Sequence, residues 1–429
     1  MRRSLLLGAL LITAAAPAPH HASPAPAAAS ATRAIDEAVR PMLARGELSG
    51  QLLVTRGGRA LVERNFGFAN LELGTPVTSE TRFNIASVTK PMTVVLAIQL
   101  LQEKKLALRD SIARWIPGFP SGDTITVSHL ISHRSGIPHE VIPDSEMVRP
   151  FSAAEVVERA KRLPLDFRPG VRESYSSGGF EVLARILEIT GGMPYGALLE
   201  QRILIPLGMS HTGHLDSRQV VHGRAAGYLA GAHGIENAPP QDFSGLVGAG
   251  SVWSTARDLD RFVQGIVSGK LGPGPRFSYL RGGKLDFNGR TGGFKAWALY
   301  DSATATCVVF VGNVSTGAPD WLRSNIMRLV AGERVAPPTP PALRRDVPES
   351  ELRRWVGVYQ IEHGPRLDVR LRDGNLYSND WVMIPTADGG MYSPRDYGIV
   401  HGVPGPDGRL VRLDWIQGSE TYPAPRVGP

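Results

Sequence analysis

A hydroxyl and an amine stand three positions apart in this chain, at Ser87 and Lys90. If Ser87 begins a helix, positions i and i+3 share one face, so the Lys90 ammonium can reach the Ser87 oxygen. A serine hydroxyl becomes an effective nucleophile when a nearby base removes its proton, and a desolvated lysine can act as that base. The apolar residues 91–101 predict a buried helix with a proline in its first turn. The pair is therefore suited to nucleophilic catalysis.

The elements around this pair predict one antiparallel sheet covered by helices. Residues 31–45 have apolar side chains at helical spacing, and residues 52–63 indicate a hairpin with a glycine turn. Several helices follow, among them one capped by Thr255 with Asp258 three residues on. Residues 296–300 and 307–311 read as two further strands, and a helix follows at about 319–330.

The end of the chain has a different pattern. Prolines at 337, 338, 340 and 341 predict a stiff linker. Beyond it, residues 367–371 and 410–415 alternate apolar and polar side chains, as strands with one buried face do. We therefore expect a main domain at 30–335, a linker at 336–347 and a small all-β domain at 348–429.

The start of the chain has the order of a secretory signal. Two arginines precede an apolar run and then small residues, and the run is too short to span a bilayer comfortably. We expect residues 1–29 to be a signal peptide and a Pro/Ala leader, and the protein to be periplasmic or secreted. The only cysteine, Cys307, lies in a strand-like apolar run and is expected to be a buried thiol. The protein is thus expected to fold without disulfides.

Composition excludes several functional classes. The chain has 429 residues, of which 42% are hydrophobic and 20% charged, as in ordinary globular proteins. Its net charge of +7 is spread without a Lys/Arg block, so no nucleic-acid partner is expected. Neither a Walker loop nor a dinucleotide fingerprint occurs, and no cofactor is expected.

The flanks of Ser87 carry a family resemblance. Residues 82–93 read Arg-Phe-Asn-Ile-Ala-Ser-Val-Thr-Lys-Pro-Met-Thr. Further matching stretches lie at 67–72, 75–77, 128–138, 169–170, 175–180, 206–209 and 248–251. Together they resemble the serine β-lactamase and penicillin-binding-protein superfamily, in particular its branch of class C β-lactamases, D,D-peptidases and serine esterases. The resemblance covers roughly residues 34–332. It implies a β-lactamase/transpeptidase-like α/β fold, with an antiparallel sheet flanked by helices and an all-helical subdomain. Many relatives also carry a β-barrel appendage, which the C-terminal pattern matches.

The first two motifs of that superfamily map onto named residues. Ser87 is the implied acyl-forming nucleophile, Lys90 its proton partner, and the N–H of Ser87 a donor to the oxyanion. Tyr175 matches the tyrosine of the second motif, Tyr-x-Asn, which shares the proton transfer. Ser177 replaces the asparagine that would contact a substrate's acyl side chain. We therefore expect the contact with a β-lactam-type amide to be altered, and the proton transfer to be kept.

The third motif, Lys-Thr-Gly or His-x-Gly in relatives, allows two registers. In the first, Phe287 replaces the cation or imidazole, Gly289 permits close backbone approach and the N–H of Arg290 is the second oxyanion donor. In the second, Arg290 itself is the cation, followed by Thr291 and Gly292. We favour the first, which leaves no charged group at the Phe287 position.

Two other motif hypotheses are weaker. His129 and His133 have the i, i+4 spacing of zinc ligands, but the glutamate of a metalloprotease helix does not stand between them. We expect them to pack in a helix and expect no metal site. A G-x-S-x-G elbow does not occur either, so an α/β-hydrolase is not indicated.

The sequence thus predicts an exported serine hydrolase that forms an acyl-enzyme through Ser87. Its substrate is a D-Ala-D-Ala-type peptide, a D-amino-acid amide, a small ester or a β-lactam, with efficient β-lactamase activity not expected. The alternative is a pseudoenzyme that keeps the fold as a cell-wall or peptide binding module. The oligomeric state is not indicated by the sequence.

Overall fold

A computed structural model describes residues 24–272, 282–362 and 364–428. Residues 1–23 of the predicted signal peptide and leader, 1–29, lie outside the described residues. The helices of the described residues are α1 (Pro24–Ala44), α2 (Thr89–Gln102), α3 (Val127–Ile131), α4 (Ala153–Ala160), α5 (Ser177–Gly191), α6 (Tyr195–Leu199), α7 (Ile205–Leu207), α8 (Ala256–Val267), α9 (Ala318–Val330) and α10 (Glu349–Leu352). The strands before the linker are β1 (Gly50–Arg56), β2 (Arg59–Phe66), β3 (Phe68–Asn70), β4 (Thr75–Pro76), β5 (Phe83–Asn84), β6 (Gly213–His214), β7 (Tyr228–Gly231), β8 (Gly234–Asn237), β9 (Val252–Ser254), β10 (Lys284–Thr291), β11 (Phe294–Asp301), β12 (Thr306–Gly312) and β13 (Val314–Ser315).

The first helix starts earlier than expected. It begins at Pro24 rather than near residue 31, because the alanine-rich segment 27–31 has high helix propensity and continues the helical turn. Residues 24–29 are therefore part of α1, and the predicted leader is helical over that stretch.

A five-stranded antiparallel sheet, in the order β10-β11-β12-β1-β2, forms the centre of the main domain. Its side chains alternate between two apolar clusters, as a period of two requires. Val308 and Phe310 pack with α1 and α9 on one face, whereas Val309 and Val311 pack with α8 and the helical region on the other. The predicted sheet covered by helices is confirmed.

The helical region lies between β5 and β9 and is built around α5. Ser176 caps α5 by accepting from Gly179 N–H at 2.9 Å, and Gly192 ends it in the left-handed conformation. The Thr255 cap of α8 is confirmed too, with its hydroxyl accepting from Asp258 N–H at 3.2 Å. These local signals could be read directly from the sequence.

The C-terminal region is a closed antiparallel barrel with its own apolar core. Its strands are β14 (Gly357–Gln360), β15 (Arg366–Arg372), β16 (Asn375–Ser378), β17 (Trp381–Pro385), β18 (Met391–Ser393), β19 (Gly398–Pro404), β20 (Leu410–Gln417) and β21 (Glu420–Gly428). The predicted all-β domain is therefore confirmed, and closure leaves it without free strand edges.

The barrel packs against the main domain at few points. Val382 and Ile384 of β17 form a small apolar cluster with Ala232. The Tyr397 hydroxyl donates to Glu47 Oε2 at 2.7 Å. Trp381, at the start of β17, lies against the guanidinium groups of Arg395 and Arg290, 3.9 and 5.7 Å from its ring centroid. Through Arg290 the barrel contacts the edge strand β10.

None of the helices within 24–272, 282–362 and 364–428 has the length and apolar character that crossing a membrane requires.

Candidate active site

Ser87 lies in a short 3₁₀ turn, Ala86–Val88, that leads directly into α2. The preceding residue, Ala86, has φ of +48°, in the left-handed region that costs energy for a residue with a Cβ. Asn84 holds this turn: its Oδ1 accepts from Ala86 N–H at 3.0 Å, and its amide donates to Gly250 O at 3.0 Å. The nucleophile candidate is thus presented by a strained, anchored turn at a helix start.

Lys90 is 3% exposed, and its ammonium is enclosed by oxygen acceptors. Its Nζ donates to Ser87 Oγ at 3.1 Å, Ser177 Oγ at 3.1 Å and Ala249 O at 3.0 Å. Burial lowers the pKa of Lys90 from its ordinary value, while Tyr175 and Glu181 oppose that effect. A neutral Lys90 amine, the form that can accept a proton, is therefore more accessible than in a free lysine.

Tyr175 approaches Ser87 from the solvent side. Its hydroxyl donates to Ser87 Oγ at 2.7 Å, and its side chain is 50% exposed. The Lys90 Nζ lies 4.8 Å from the centroid of the Tyr175 ring. The structure therefore brings Ser87, Lys90 and Tyr175 together within hydrogen-bond reach.

Two histidines hold the tyrosine loop. The rings of His133 and His139 lie 4.7 and 5.3 Å from that of Tyr175, centroid to centroid. Their Nδ1 atoms accept from Ser176 N–H at 3.1 Å and Ser177 N–H at 3.2 Å, respectively. Burial lowers the pKa of His133 to about 4 and also lowers that of His139. Both rings are therefore neutral acceptors near neutral pH.

These two histidines were not singled out for this role by the sequence. His133 was expected to pack in a helix with His129, but α3 ends at Ile131 and His133 lies beyond it, in the left-handed region at φ +57°. His129 instead completes the cap of α3, where its Nδ1 accepts from Thr126 N–H at 3.4 Å. No group of three or more His, Cys, Asp or Glu side chains suited to a metal occurs among the described residues.

Gly289 of β10 lies against the nucleophile turn. A Cβ at this position would stand 2.7 Å from Ser87 N and 2.7 Å from Ile85 O, so no larger residue fits without backbone movement. A Cβ on Gly292 would meet the side chain of Gln241 at 2.5 Å instead. Of the two glycines considered for the third motif, Gly289 is therefore the one in contact with Ser87.

Phe287 and Arg290 lie on opposite faces of β10. Phe287 is 4% exposed, shares the Gly289 face and belongs to the apolar cluster beneath the helical region. The Arg290 guanidinium donates to Asp320 Oδ2 of α9 at 2.6 Å, and Asp320 Oδ1 also pairs with Lys295 at 2.6 Å. The Arg290 cation is thus paired with a carboxylate on the face away from Phe287.

Ser177, predicted as a substrate contact, is 8% exposed. Its hydroxyl oxygen accepts a hydrogen bond from Lys90 Nζ. Its position as the N-terminal residue of α5 directs the hydroxyl at the amine rather than at solvent. Chemically, the arrangement provides a hydroxyl flanked by a desolvated amine and a phenol, next to the start of a helix. Such a site suits covalent acyl transfer without a cofactor.

The fold and this arrangement of side chains are consistent with a serine hydrolase. A sequence profile of the family described as Beta-lactamase matches residues 35–333. The chain belongs to the β-lactamase family.

Relatives of this chain carry several hydrolase names. The putative penicillin-binding protein PbpX of Bacillus subtilis is 26% identical over 63% of this chain and 72% of its own length. Esterase EstB of Burkholderia gladioli is 31% identical over 44% of this chain and 53% of its own. The D-alanyl-D-alanine-carboxypeptidase/endopeptidase AmpH of Escherichia coli is 29% identical over 62% and 70%. The match therefore covers only part of each relative, just over half in the case of the esterase.

Among solved structures, the D-amino acid amidase of Ochrobactrum anthropi aligns with a TM-score of 0.63 and 22% identity. The alignment covers 70% of this chain and 98% of the amidase chain. At that identity the likeness concerns the fold, and the fold expected from the sequence is confirmed. The family match and the relatives named above show a serine hydrolase of this family.

Proposed function

We propose that the protein is an exported serine hydrolase in which Ser87 attacks a carbonyl carbon and forms an acyl-enzyme. One observation carries this proposal: Lys90 Nζ and the Tyr175 hydroxyl converge on Ser87 Oγ at 3.1 and 2.7 Å. A nucleophile and its base within hydrogen-bond distance are the signature of covalent catalysis by a side chain. The retained triad also argues against a binding module that has lost its chemistry.

In the proposed reaction, the Ser87 proton passes to the neutral amine of Lys90 as Oγ bonds to the substrate carbon. The tetrahedral oxyanion is held by the backbone N–H groups of Ser87 and Arg290, which the contact of Gly289 with the Ser87 turn brings close. The proton then passes through the Tyr175 hydroxyl to the leaving alcohol or amine. Water attacks the acyl-enzyme by the same relay in reverse, and releases the acid.

For the substrate, we propose a small neutral ester or amide in preference to a carboxylate-bearing peptide or penicillin. Relatives of this family place a cation or imidazole at the position of Phe287, which here is an apolar ring. The nearby cation, Arg290, is already paired with Asp320 at 2.6 Å. The closeness of Gly289 to Ser87 N supports this register of the third motif. The names of the esterase and the amidase among the similar proteins support the same substrate classes.

The test measures the hydrolysis of an activated ester, p-nitrophenyl acetate, by the wild type and by Ser87→Ala. We expect the wild type to hydrolyse the ester and Ser87→Ala to lose at least 10³-fold in kcat. Intact mass after exposure to an aryl phosphonate is expected to increase by one adduct in the wild type only. Equal turnover by both proteins would reject Ser87 as the nucleophile.

Export is the second part of the proposal. It rests on the order of charged, apolar and small residues in 1–16 and on a chain with one cysteine, whose thiol is buried. Expression of the full chain in a bacterial host, followed by N-terminal sequencing of the periplasmic fraction, tests it. Full-length protein confined to the cytoplasm would reject it.

A further inference from the structure

A buried carboxyl group stands on α5, one helical turn after the Ser177 hydroxyl that contacts Lys90. Glu181 is 1% exposed and stands on α5 four positions after Ser177, whose hydroxyl accepts from Lys90 Nζ at 3.1 Å. Residues i and i+4 share a helix face, so the side chains of Ser177 and Glu181 lie on the same side of α5. The ring of Phe180, adjacent to Glu181, lies 5.7 Å from Nζ. Glu181 is thus part of the surroundings of the Lys90 amine.

The carboxyl group is poorly satisfied by hydrogen bonds. Its Oε2 is enclosed and has no hydrogen-bond partner among the described residues. An ionised carboxylate is expensive in such a place, so burial raises the pKa of Glu181 to about 8, while the Lys90 ammonium acts to lower it. A group that stays protonated at pH 7 and loses its proton slightly above it can respond to the charge of Lys90.

Few other charges bear on this position. The helix α5 packs against α2, α3, α4 and α6. On α2 the titratable group is Lys90 itself, and on α6 it is Tyr195, whose hydroxyl is bonded to Thr93. On α5 itself, Arg185 lies four positions after Glu181 and pairs with Glu188 at 3.0 Å. The groups on or beside the neighbouring elements include His129 on α3, Glu155, Glu158 and Arg159 on α4, and Tyr175, His133 and His139 beside the nucleophile. The α4 side chains lie at the surface or pair with one another or with Lys161, Arg149 and Glu146.

We propose that Glu181 is the internal counter-charge of Lys90: as a carboxylate it stabilises the ammonium, and as a neutral acid it leaves Lys90 free to become the amine that accepts the Ser87 proton. Opposite charges in a low-dielectric interior couple strongly, so the two groups titrate as a pair. Glu181 touches neither substrate nor Ser87 and acts through Lys90 as a positioning residue. The inference rests on the proposed role of Lys90 as proton partner.

This proposal predicts the direction of a pH shift. Above about pH 8, where Glu181 is ionised, its carboxylate favours the ammonium. Removing the carboxylate therefore lowers the pKa of Lys90, and its neutral form appears at lower pH. The acid limb of kcat/KM against pH, measured with a neutral ester, is expected to move to lower pH by roughly half a unit or more in Glu181→Gln. Glu181→Leu is expected to move it in the same direction, whereas Glu181→Asp, which keeps a carboxylate, remains closer to the wild type.

Glu188→Gln is the matched control, because Glu188 lies on the same helix and pairs with Arg185 at 3.0 Å away from Lys90. It is expected to leave the acid limb in place. A merely structural Glu181 would change the melting temperature or the level of kcat without moving the limb. An unmoved limb in folded Glu181→Gln would overturn the proposal, and the isosteric glutamine decides the matter even if the leucine variant does not fold.

Ser87→Ala is assayed in the same experiment, so that failure of the proposed role of Glu181 can be distinguished from failure of the proposed hydrolase function. Loss of turnover in Ser87→Ala with an unmoved limb in Glu181→Gln would reject the role of Glu181 alone. Undiminished turnover in Ser87→Ala would reject the proposed function itself.

Discussion

At the scale of single residues, the two side chains that donate to Ser87 Oγ differ sharply in their surroundings. Lys90 is 3% exposed and Tyr175 is 50% exposed. Desolvation of the buried amine lowers the pKa of Lys90. The phenol faces the solvent side, from which a substrate must enter and a leaving group depart. This difference suits Lys90 to accept the nucleophile's proton and Tyr175 to deliver one outward.

Lys90→Arg tests that division. An arginine keeps the positive charge but has no accessible neutral form, and its larger planar head does not fit the three acceptors around Nζ. We expect kcat to fall by about 10² or more on a neutral ester. Lys161→Arg, on a surface lysine paired with Glu158, is the control and is expected to be neutral. Near-normal turnover in Lys90→Arg would remove Lys90 from the mechanism.

The sequence predicted the meeting of Ser87, Lys90 and Tyr175 because their motifs are short and lie within nearly continuous matching stretches. It did not predict His133, His139 and Glu181 as neighbours of that site. The two histidines reach Tyr175 from a loop, and Glu181 reaches Lys90 through packing of α5 on α2, so no local spacing records either contact. One signal was available: an acidic residue, Glu181, four positions after Ser177 in the largely apolar segment 180–187.

At the scale of elements, the edge strand β10 holds the residues of the proposed third motif. It places Gly289 against Ser87 N, Phe287 in the apolar cluster on the same face and Arg290 on Asp320 across the sheet. The sequence alone left two registers, because Gly289 and Gly292 each permit close approach. The contact of Gly289 with the Ser87 turn joins distant parts of the chain, which sequence spacing does not contain.

The position of Phe287 on β10 leads to a prediction about which substrates the enzyme prefers. Phe287→His introduces an imidazole at the position where relatives place a cation or imidazole. We expect kcat/KM for carboxylate-bearing substrates to rise about tenfold, which corresponds to about 1.4 kcal/mol of transition-state stabilisation. Because Phe287 is buried, the melting temperature of the variant is measured beside its kinetics.

Arg290→Ala is the opposing variant. Its cation is engaged by Asp320, so we expect reduced stability and a similar loss on both classes of substrate. If Arg290→Ala instead abolished activity on carboxylate-bearing substrates selectively, the alternative register, with Arg290 as the recognition cation, would be correct.

At the scale of the whole molecule, the main domain and the barrel have separate cores. The sequence indicated the barrel through strand alternation and the prolines before it. It could not predict how the barrel docks, because Trp381 and Tyr397 meet partners far away in the chain, Arg290 and Glu47. The apolar part of the interface includes Ala232 of the main domain against Val382 and Ile384 of the barrel, and Tyr397 of the barrel against the cluster of α1 and α9.

Truncation after Val335 tests whether the main domain folds alone. We expect a soluble, helical protein, because both of its apolar clusters remain complete apart from the contact of Tyr397. The melting temperature is expected to fall by a few degrees, since Glu47 loses its tyrosine partner and Ala232 becomes exposed. Aggregation with loss of the helical circular dichroism signal would show that the barrel completes the fold.

The buried thiol of Cys307 has a practical consequence for following such a separation. This side chain is 0% exposed within β12, and burial raises its pKa well above the ordinary value, so it is a poor target for alkylating reagents. Since the chain contains no second cysteine, one introduced at the exposed turn residue Asp380 would be the single reactive handle. A fluorophore attached there would report on the environment of the barrel next to Trp381, in the native protein and without background labelling.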